Sequence, residues 1–211
     1  MNLHFGISQL ILNTDLPYHF NPFGGIHEEE IEDIFVPRSF SQKLIRAIQG
    51  EQPGIIELVG SKGRGKTTHL RYLHTQFPQY PLFLPKSARD YEEIYAHPAE
   101  ILFLDSVHKL TVFQRIQLYR KKRLIILTTH WKRNGEYILA RRPFTSYSFR
   151  GIDEALLTQV LKHRISLATG REIQNIHLKP GYIRALISQH GDNLRSILNQ
   201  LYDVFNRHDQ L

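Results

Sequence analysis

The stretch Gly60-Ser61-Lys62-Gly63-Arg64-Gly65-Lys66-Thr67 constrains this chain more than any other. It matches G-x-x-x-x-G-K-[ST] at every fixed position. Before it lies the apolar run Ile55-Ile56-Glu57-Leu58-Val59, and after it Leu70, Leu73 and Phe77 recur at helical spacing until Pro78 stops the pattern. A strand, a tight glycine turn and a helix in that order make a phosphate-binding loop. The glycines let successive backbone N–H groups approach a phosphate at the positive end of the following helix. The candidate nucleotide-binding residues are therefore Gly60, Ser61, Lys62, Gly63, Arg64, Gly65, Lys66, Thr67 and Thr68. Lys66 is expected on the β- and γ-phosphates, and the Thr67 hydroxyl on a magnesium ion held otherwise mainly by water and phosphate oxygens. The expected ligand is ATP or GTP.

A second wholly apolar run, Ile101-Leu102-Phe103-Leu104, ends in Asp105. Continuous apolarity suits a central parallel strand buried on both faces, and a carboxylate at its C-terminal end lies where it can orient the same magnesium ion. A third run, residues 123–127, ends in the polar cluster Thr128-Thr129-His130. Ligands of open α/β sheets bind beyond the carboxyl ends of the strands, which makes Thr128, Thr129 and His130 candidates to face the γ-phosphate or the attacking water. Residues 80–84 and 147–150 read as further short strands, with helices over 39–48, 91–96, 110–122 and 137–142.

Beyond Gly151 the strand pattern stops. Residues 152–168, 179–189 and 192–207 carry apolar residues at helical spacing, with Asp153 and Asp192 as N-caps. The expected organisation is an extended N-terminal arm over residues 1–34, an α/β nucleotide-binding core over 35–151, and a small all-helical lid over 152–211. Phe20 and Phe23 make the arm too apolar to remain solvated, so it is expected to dock on this subunit or a neighbour.

Composition bounds the partners. With 27 Lys and Arg against 20 Asp and Glu, the formal charge is +7, which suits an anionic partner beyond the nucleotide. The densest run, Arg120-Lys121-Lys122-Arg123, falls at a predicted helix end, where cations complement the helix dipole; a solvated helix end and a nucleic-acid contact both remain open. There is no cysteine, hence no disulfide or thiolate metal site. His69 and His74 diverge on their helix, and the other histidines lack ligand spacing. No signal peptide or membrane span is legible, so the default expectation is a cytoplasmic protein with no membrane partner.

Taken in order, the phosphate loop, the strand ending in Asp105, the strand ending in a polar cluster and the late helical bundle resemble the AAA+ ATPases. The likeness runs from about residue 35 to the C-terminus and is closest to the DNA-processing branches, such as replication initiators, clamp loaders and transposition helper ATPases. It implies a P-loop NTPase fold, a three-layer α/β core on a parallel sheet followed by the small all-α lid, with ATP and Mg2+ as ligands. By the same resemblance Gly60 to Thr67 is the Walker A loop and Asp105 closes the Walker B strand. Thr129 and His130 stand at the first sensor, Arg141 or Arg142 at the arginine finger directed to a neighbouring subunit, and Arg195 at the lid arginine. Self-association or a related ATPase subunit, and nucleic acid, are the partners it implies. One position departs from the family. Ser106 stands where a glutamate usually polarises the attacking water, and such a general base contributes typically about 10²–10⁴-fold. Glu57 is a remote substitute, since it lies inside the first strand. Two readings follow: a slow or partner-stimulated ATPase, and a nucleotide-gated module with little chemistry. A phosphotransferase of the nucleotide-kinase type shares the loop but lacks a matching lid.

Overall fold

The computed structural model describes residues 10, 17–25 and 28–208. Its elements in chain order are α1 (Ile31–Ile34), α2 (Ser41–Gln49), β1 (Gly54–Val59), α3 (Lys66–Gln76), β2 (Leu82–Phe83), α4 (Tyr91–Ala96), β3 (Ile101–Leu104), α5 (Val112–Lys121), β4 (Leu124–Thr129), α6 (Asn134–Leu139), β5 (Phe144–Ser148), α7 (Glu154–Thr169), α8 (Pro180–His190) and α9 (Leu194–His208). They fall into two compact units. One is Pro37–Phe149; the other joins the described residues up to Val36 to those from Arg150 onward.

The first unit is built on a five-stranded parallel sheet of order β2-β3-β4-β1-β5. Successive strand residues point to opposite faces, so each strand serves two cores. On one face Ile56, Leu58, Phe103 and Ile126 pack against Leu44 and Ile48 of α2 and Leu70 and Leu73 of α3. On the other, Ile55, Leu102, Leu104, Ile125 and Leu127 meet Ile94 of α4, Ile116 and Tyr119 of α5, and Tyr137 of α6. The sheet is thus sandwiched between two helical layers, as the apolar runs lead one to expect. β2 is shorter than its sequence suggests, because Pro81 precedes it and Leu84 is already outside the ladder. The helix expected over 137–142 is displaced to Asn134–Leu139.

Glu57 and His69 are among the polar groups buried within these layers. Glu57, in the middle of β1, is fully buried and accepts from four donors: Tyr137 Oη at 2.7 Å, Thr129 Oγ1 at 3.0 Å, the Arg133 N–H at 3.2 Å and Ser146 Oγ at 2.6 Å. The Tyr137 phenol is held well above its ordinary pKa, first by burial and then by Tyr119 and Glu57 beside it. His69 is buried on α3, its Nε2 3.1 Å from Ser41 Oγ of α2. Burial, with the nearby Arg38 charge, pushes its imidazole down to about 3.

Basic residues at the end of α5 each find a partner in the fold, Lys122 while buried and Arg120 and Lys121 while still exposed. Arg120 donates to the Leu139 carbonyl at 2.9 Å, Lys121 to that of Tyr95 at 2.6 Å and Lys122 to that of Ala99 at 3.0 Å, while Arg123 pairs with Glu51.

In the second unit, Leu157, Leu161 and Ile165 of α7, Ile183 and Leu186 of α8, and Ile197, Leu201 and Phe205 of α9 form one core that includes Leu10 and Phe23. Described residues of the N-terminal arm pack into this helical unit, so the arm is not a body of its own. Arg164, buried on α7, donates to the carbonyls of Pro22 and Gly24, each at 3.1 Å. Asn21 reaches the Asn206 side chain at 2.8 Å. Asp153 caps α7 by accepting from the Leu156 N–H at 2.7 Å. At α9 that cap is Asn193, which accepts from the Ser196 N–H at 3.2 Å, whereas Asp192 accepts from the Gly151 N–H at 3.1 Å. Among the described residues, no helix is long and apolar enough to cross a membrane.

Glu57→Gln replaces an acceptor oxygen by an amide donor facing other donors, and is expected to cost about 1–3 kcal/mol, read by urea denaturation. His69, neutral in the fold and basic near 6.5 when unfolded, stabilises the protein above pH 6.5, and this contribution is lost as pH falls from there toward about 3. The expected slope is at most ~1.4 kcal/mol per pH unit. His69→Gln should flatten the stability profile over that window relative to wild type.

Candidate nucleotide-binding site

The phosphate loop leaves β1 at Gly60, and a side chain there has no room. A Cβ built on Gly60 falls 2.7 Å from the Phe149 carbonyl oxygen, and Phe149 in turn donates its N–H to the Val59 carbonyl at 2.8 Å. Gly63 and Gly65 have φ of +84° and +82°, in the left-handed region that glycine adopts without steric cost. From Gly65 the chain enters α3, whose first-turn N–H groups open toward the loop. The Lys66 ammonium lies within the loop, donating to the Ser61 carbonyl at 2.9 Å. Arg38 supports the loop from outside. Its guanidinium donates to the Arg64 carbonyl at 3.3 Å and lies 4.9 Å from the centroid of the Phe149 ring.

Asp105 emerges at the end of β3 on the α3 face. Thr67 Oγ1 lies 3.0 Å from its Oδ2, and Thr128 Oγ1 also donates to its carboxyl. The Ser106 N–H sits 2.9 Å from Asp105 Oδ1 and 2.8 Å from Thr128 Oγ1. To aim that N–H, Ser106 takes φ of +55°, an uncommon conformation for a residue with a Cβ. The donor set is one carboxyl, one hydroxyl and an adjoining phosphate cradle. This fits magnesium, which keeps several waters and takes few protein ligands. Among the described residues, no group of three or more His, Cys, Asp and Glu is placed to hold a metal by itself.

The strand-end residues part company by parity. Thr128 faces Asp105, whereas Thr129 faces the opposite side of the sheet, where its hydroxyl is bonded to Glu57. Glu57 itself is enclosed on that opposite face. His130 follows at the edge. Burial, then the Lys66 charge, push its imidazole below the ordinary histidine range. The ring of His108, two residues beyond Ser106, lies 4.7 Å away, centroid to centroid. Thr128 enters the sequence reading only as one of three alternatives, and His108 not at all; strand parity was the usable signal for the first, and nothing local marks the second.

The arginine candidates are spread out. Arg142 is half-buried and donates to the Lys122 carbonyl at 2.9 Å, and to that of Arg123. Arg141 is exposed, with φ of +57°, in the turn between α6 and β5. Near it, Glu136 of α6 is clasped by Arg115 at 2.6 Å and Arg133 at 2.7 Å. Burial opposes the Glu136 charge, but the hydrogen bonds from these two arginines prevail and lower its pKa. Arg195 is exposed in the first turn of α9, on the helical unit.

No protein-family model matches the sequence, and no curated protein matches it either. Solved structures do match in shape. A DNA replication initiation factor aligns with a TM-score of 0.55 at 15% identity, over 85% of this chain and 67% of its own. A variant of RuvB from Thermotoga maritima gives 0.54 at 15% identity, over 79% and 61%. The replication initiator DnaA, bound to AMPPCP and single-stranded DNA, gives 0.53 at 16% identity, over 81% and 62%. This chain therefore spans about three fifths to two thirds of the length of the structures it matches. Together with the parallel sheet, these alignments show that the chain shares the fold of these proteins, a parallel α/β sheet with flanking helices and a C-terminal helical region.

Proposed function

We propose that this chain binds ATP with magnesium at the loop of residues 60–68 and acts as an oligomeric ATPase or ATP switch in a DNA-linked process, with slow or partner-dependent hydrolysis. The observation that carries this reading is the meeting of Thr67 with Asp105, 3.0 Å apart though far separated in sequence, beside a glycine turn shaped for phosphate. Thr67 and Asp105 would hold magnesium, which neutralises phosphate charge when bound. Lys66 and the loop N–H groups bind and orient the phosphates. Ser106 has no carboxylate to polarise water, and the slow turnover proposed here rests on that.

Further parts of the proposal rest on placement. Arg141, the exposed member of the arginine pair, is the finger offered to a neighbouring subunit, while Arg142 serves its own fold. Arg195 is the lid arginine toward the γ-phosphate. The net charge of +7, the AMPPCP and single-stranded DNA named with DnaA, and the replication role named for the initiation factor support nucleotide and nucleic-acid partners. A cytoplasmic setting is the compartment proposed. Ser106 also favours a second reading, in which ATP closes the lid and fixes a binding surface without appreciable turnover.

A fluorescent ATP analogue titrated into wild type and Lys66→Ala tests the first step. Affinity is expected to fall by about 100-fold or more in the variant, and unchanged binding would remove the basis of the proposal. Phosphate release with Mg-ATP, with and without single-stranded DNA and with Lys66→Ala as the blank, then separates the readings: release above the blank marks the ATPase, and tight binding without release marks the switch. Asp105→Asn is expected to retain metal-free analogue binding while losing about tenfold or more of the gain from magnesium.

A further inference from the structure

Replacing the usual glutamate by Ser106 removes one proton acceptor, but the same rim holds two imidazoles. His130 stands at the C-terminal end of β4, and His108 in the turn after β3. Their rings lie 4.7 Å apart, inclined by 45°. Gly60, at the mouth of the phosphate loop, donates its N–H to the carbonyl of Thr129 at 3.2 Å, which sets the next residue, His130, beside the loop. A neutral imidazole there carries a proton on one nitrogen and a lone pair on the other. Glu57 is on the far face, held by four donors, and Ser106 is not basic at neutral pH, so neither competes for the role.

We propose that His130 is the catalytic base of this site, taking the place of the missing glutamate; this rests on the ATP reading above. In the step, the oxygen of a water molecule attacks the γ-phosphorus of ATP and one of its protons passes to the imidazole nitrogen bearing the lone pair. The bond from the γ-phosphorus to the β–γ bridging oxygen breaks, and its electron pair remains on that oxygen as ADP leaves. The imidazolium then returns its proton to solvent. His108 covers one side of the His130 ring and limits its solvation.

The charge environment suits a base that is neutral at pH 7. Besides burial, Lys66 and Lys62 of the loop disfavour protonation of His130, while Asp105 and the Gly60 carbonyl favour it, and the balance lowers its pKa. His108 is likewise lowered, by burial first, then by His130, Lys109 and Arg133, against Asp105. Neutral imidazole is the competent form, so activity should be lost as pH falls through a midpoint below 6.5.

The test uses full-length wild type, His130→Gly and Lys66→Ala. His130→Gly is expected to bind the fluorescent ATP analogue within about threefold of wild type while releasing phosphate at least about 100-fold more slowly. Added imidazole should restore much of the loss. In the nucleotide-free protein, nitrogen NMR of the histidine rings should show the His130 signal, identified by its absence from the variant, as a neutral ring at pH 7. Wild-type release by His130→Gly, or loss without rescue by imidazole, overturns the assignment. Tight ATP binding by wild type with no release overturns it too, yet leaves the ATP site standing. Equal analogue binding by wild type and Lys66→Ala overturns the ATP reading and the base with it.

Discussion

In a sheet covered on both faces, every strand residue belongs to one side, and the chemistry at the strand ends inherits that assignment. Asp105 and Thr128 fall on the α3 side, so they meet Thr67 where the phosphate loop enters its helix. Shift one residue along β4 and the hydroxyl of Thr129 serves a different purpose. It joins Tyr137, Ser146 and the Arg133 N–H around Glu57. A buried acid without a cation is tolerable because four donors surround it, each replacing part of the hydration it gave up. That knot connects β1 to the end of β4, to α6 and to β5. The segment from Thr129 to Ser146, which includes Arg141, is thereby anchored to the strand that leads into the loop.

Much of this was legible in the residues. The runs at 55–59, 101–104 and 124–127, apolar but for Glu57, read as doubly buried strands once the loop motif was in place, and their order suggested a parallel sheet. The meeting of Asp105 with Thr67 and Thr128 at the carboxyl end of the sheet was foreseeable too, since topology puts successive strand ends together. Legibility failed where a contact, not a local pattern, decides. Asn134-Gly135 is a weak helix start, yet α6 begins there because Glu136 is gripped by Arg115 and Arg133. Asp192 and Asn193 are equally good caps by type; geometry selected Asn193 and gave Asp192 to Gly151. The arm reads as separate in sequence because it lacks a period, although Phe23, Asn21 and the carbonyls taken by Arg164 bind it to the helical unit.

The charge pattern carries a related lesson. A cluster of four cations at residues 120–123 invites a polyanion, but their heads are directed to carbonyls of Tyr95, Ala99 and Leu139 and to Glu51. Arg142 belongs to the same economy, closing on the carbonyls that α5 leaves behind it. Basic residues used this way satisfy chain ends, whatever charge Arg120 and Lys121 still present to solvent. Arg141 on one unit and Arg195 on the other are among the cations whose side chains stay exposed.

The edge strand β5 rests against β1 through two glycines. A Cβ on Gly54 would approach the Pro143 carbonyl oxygen to 2.9 Å, as one on Gly60 would that of Phe149 to 2.7 Å. Every single-base change that replaces either glycine with a residue bearing a side chain collides with a backbone oxygen on the adjoining segment. At Gly54 that intolerance owes nothing to any ligand. At Gly60 two unrelated demands coincide, so a loss of nucleotide affinity on changing it would mix damage to the sheet seam with damage to the phosphate cradle. Invariance at such a position, were it found among descendants of this gene, would overstate how much selection on catalysis alone had been at work.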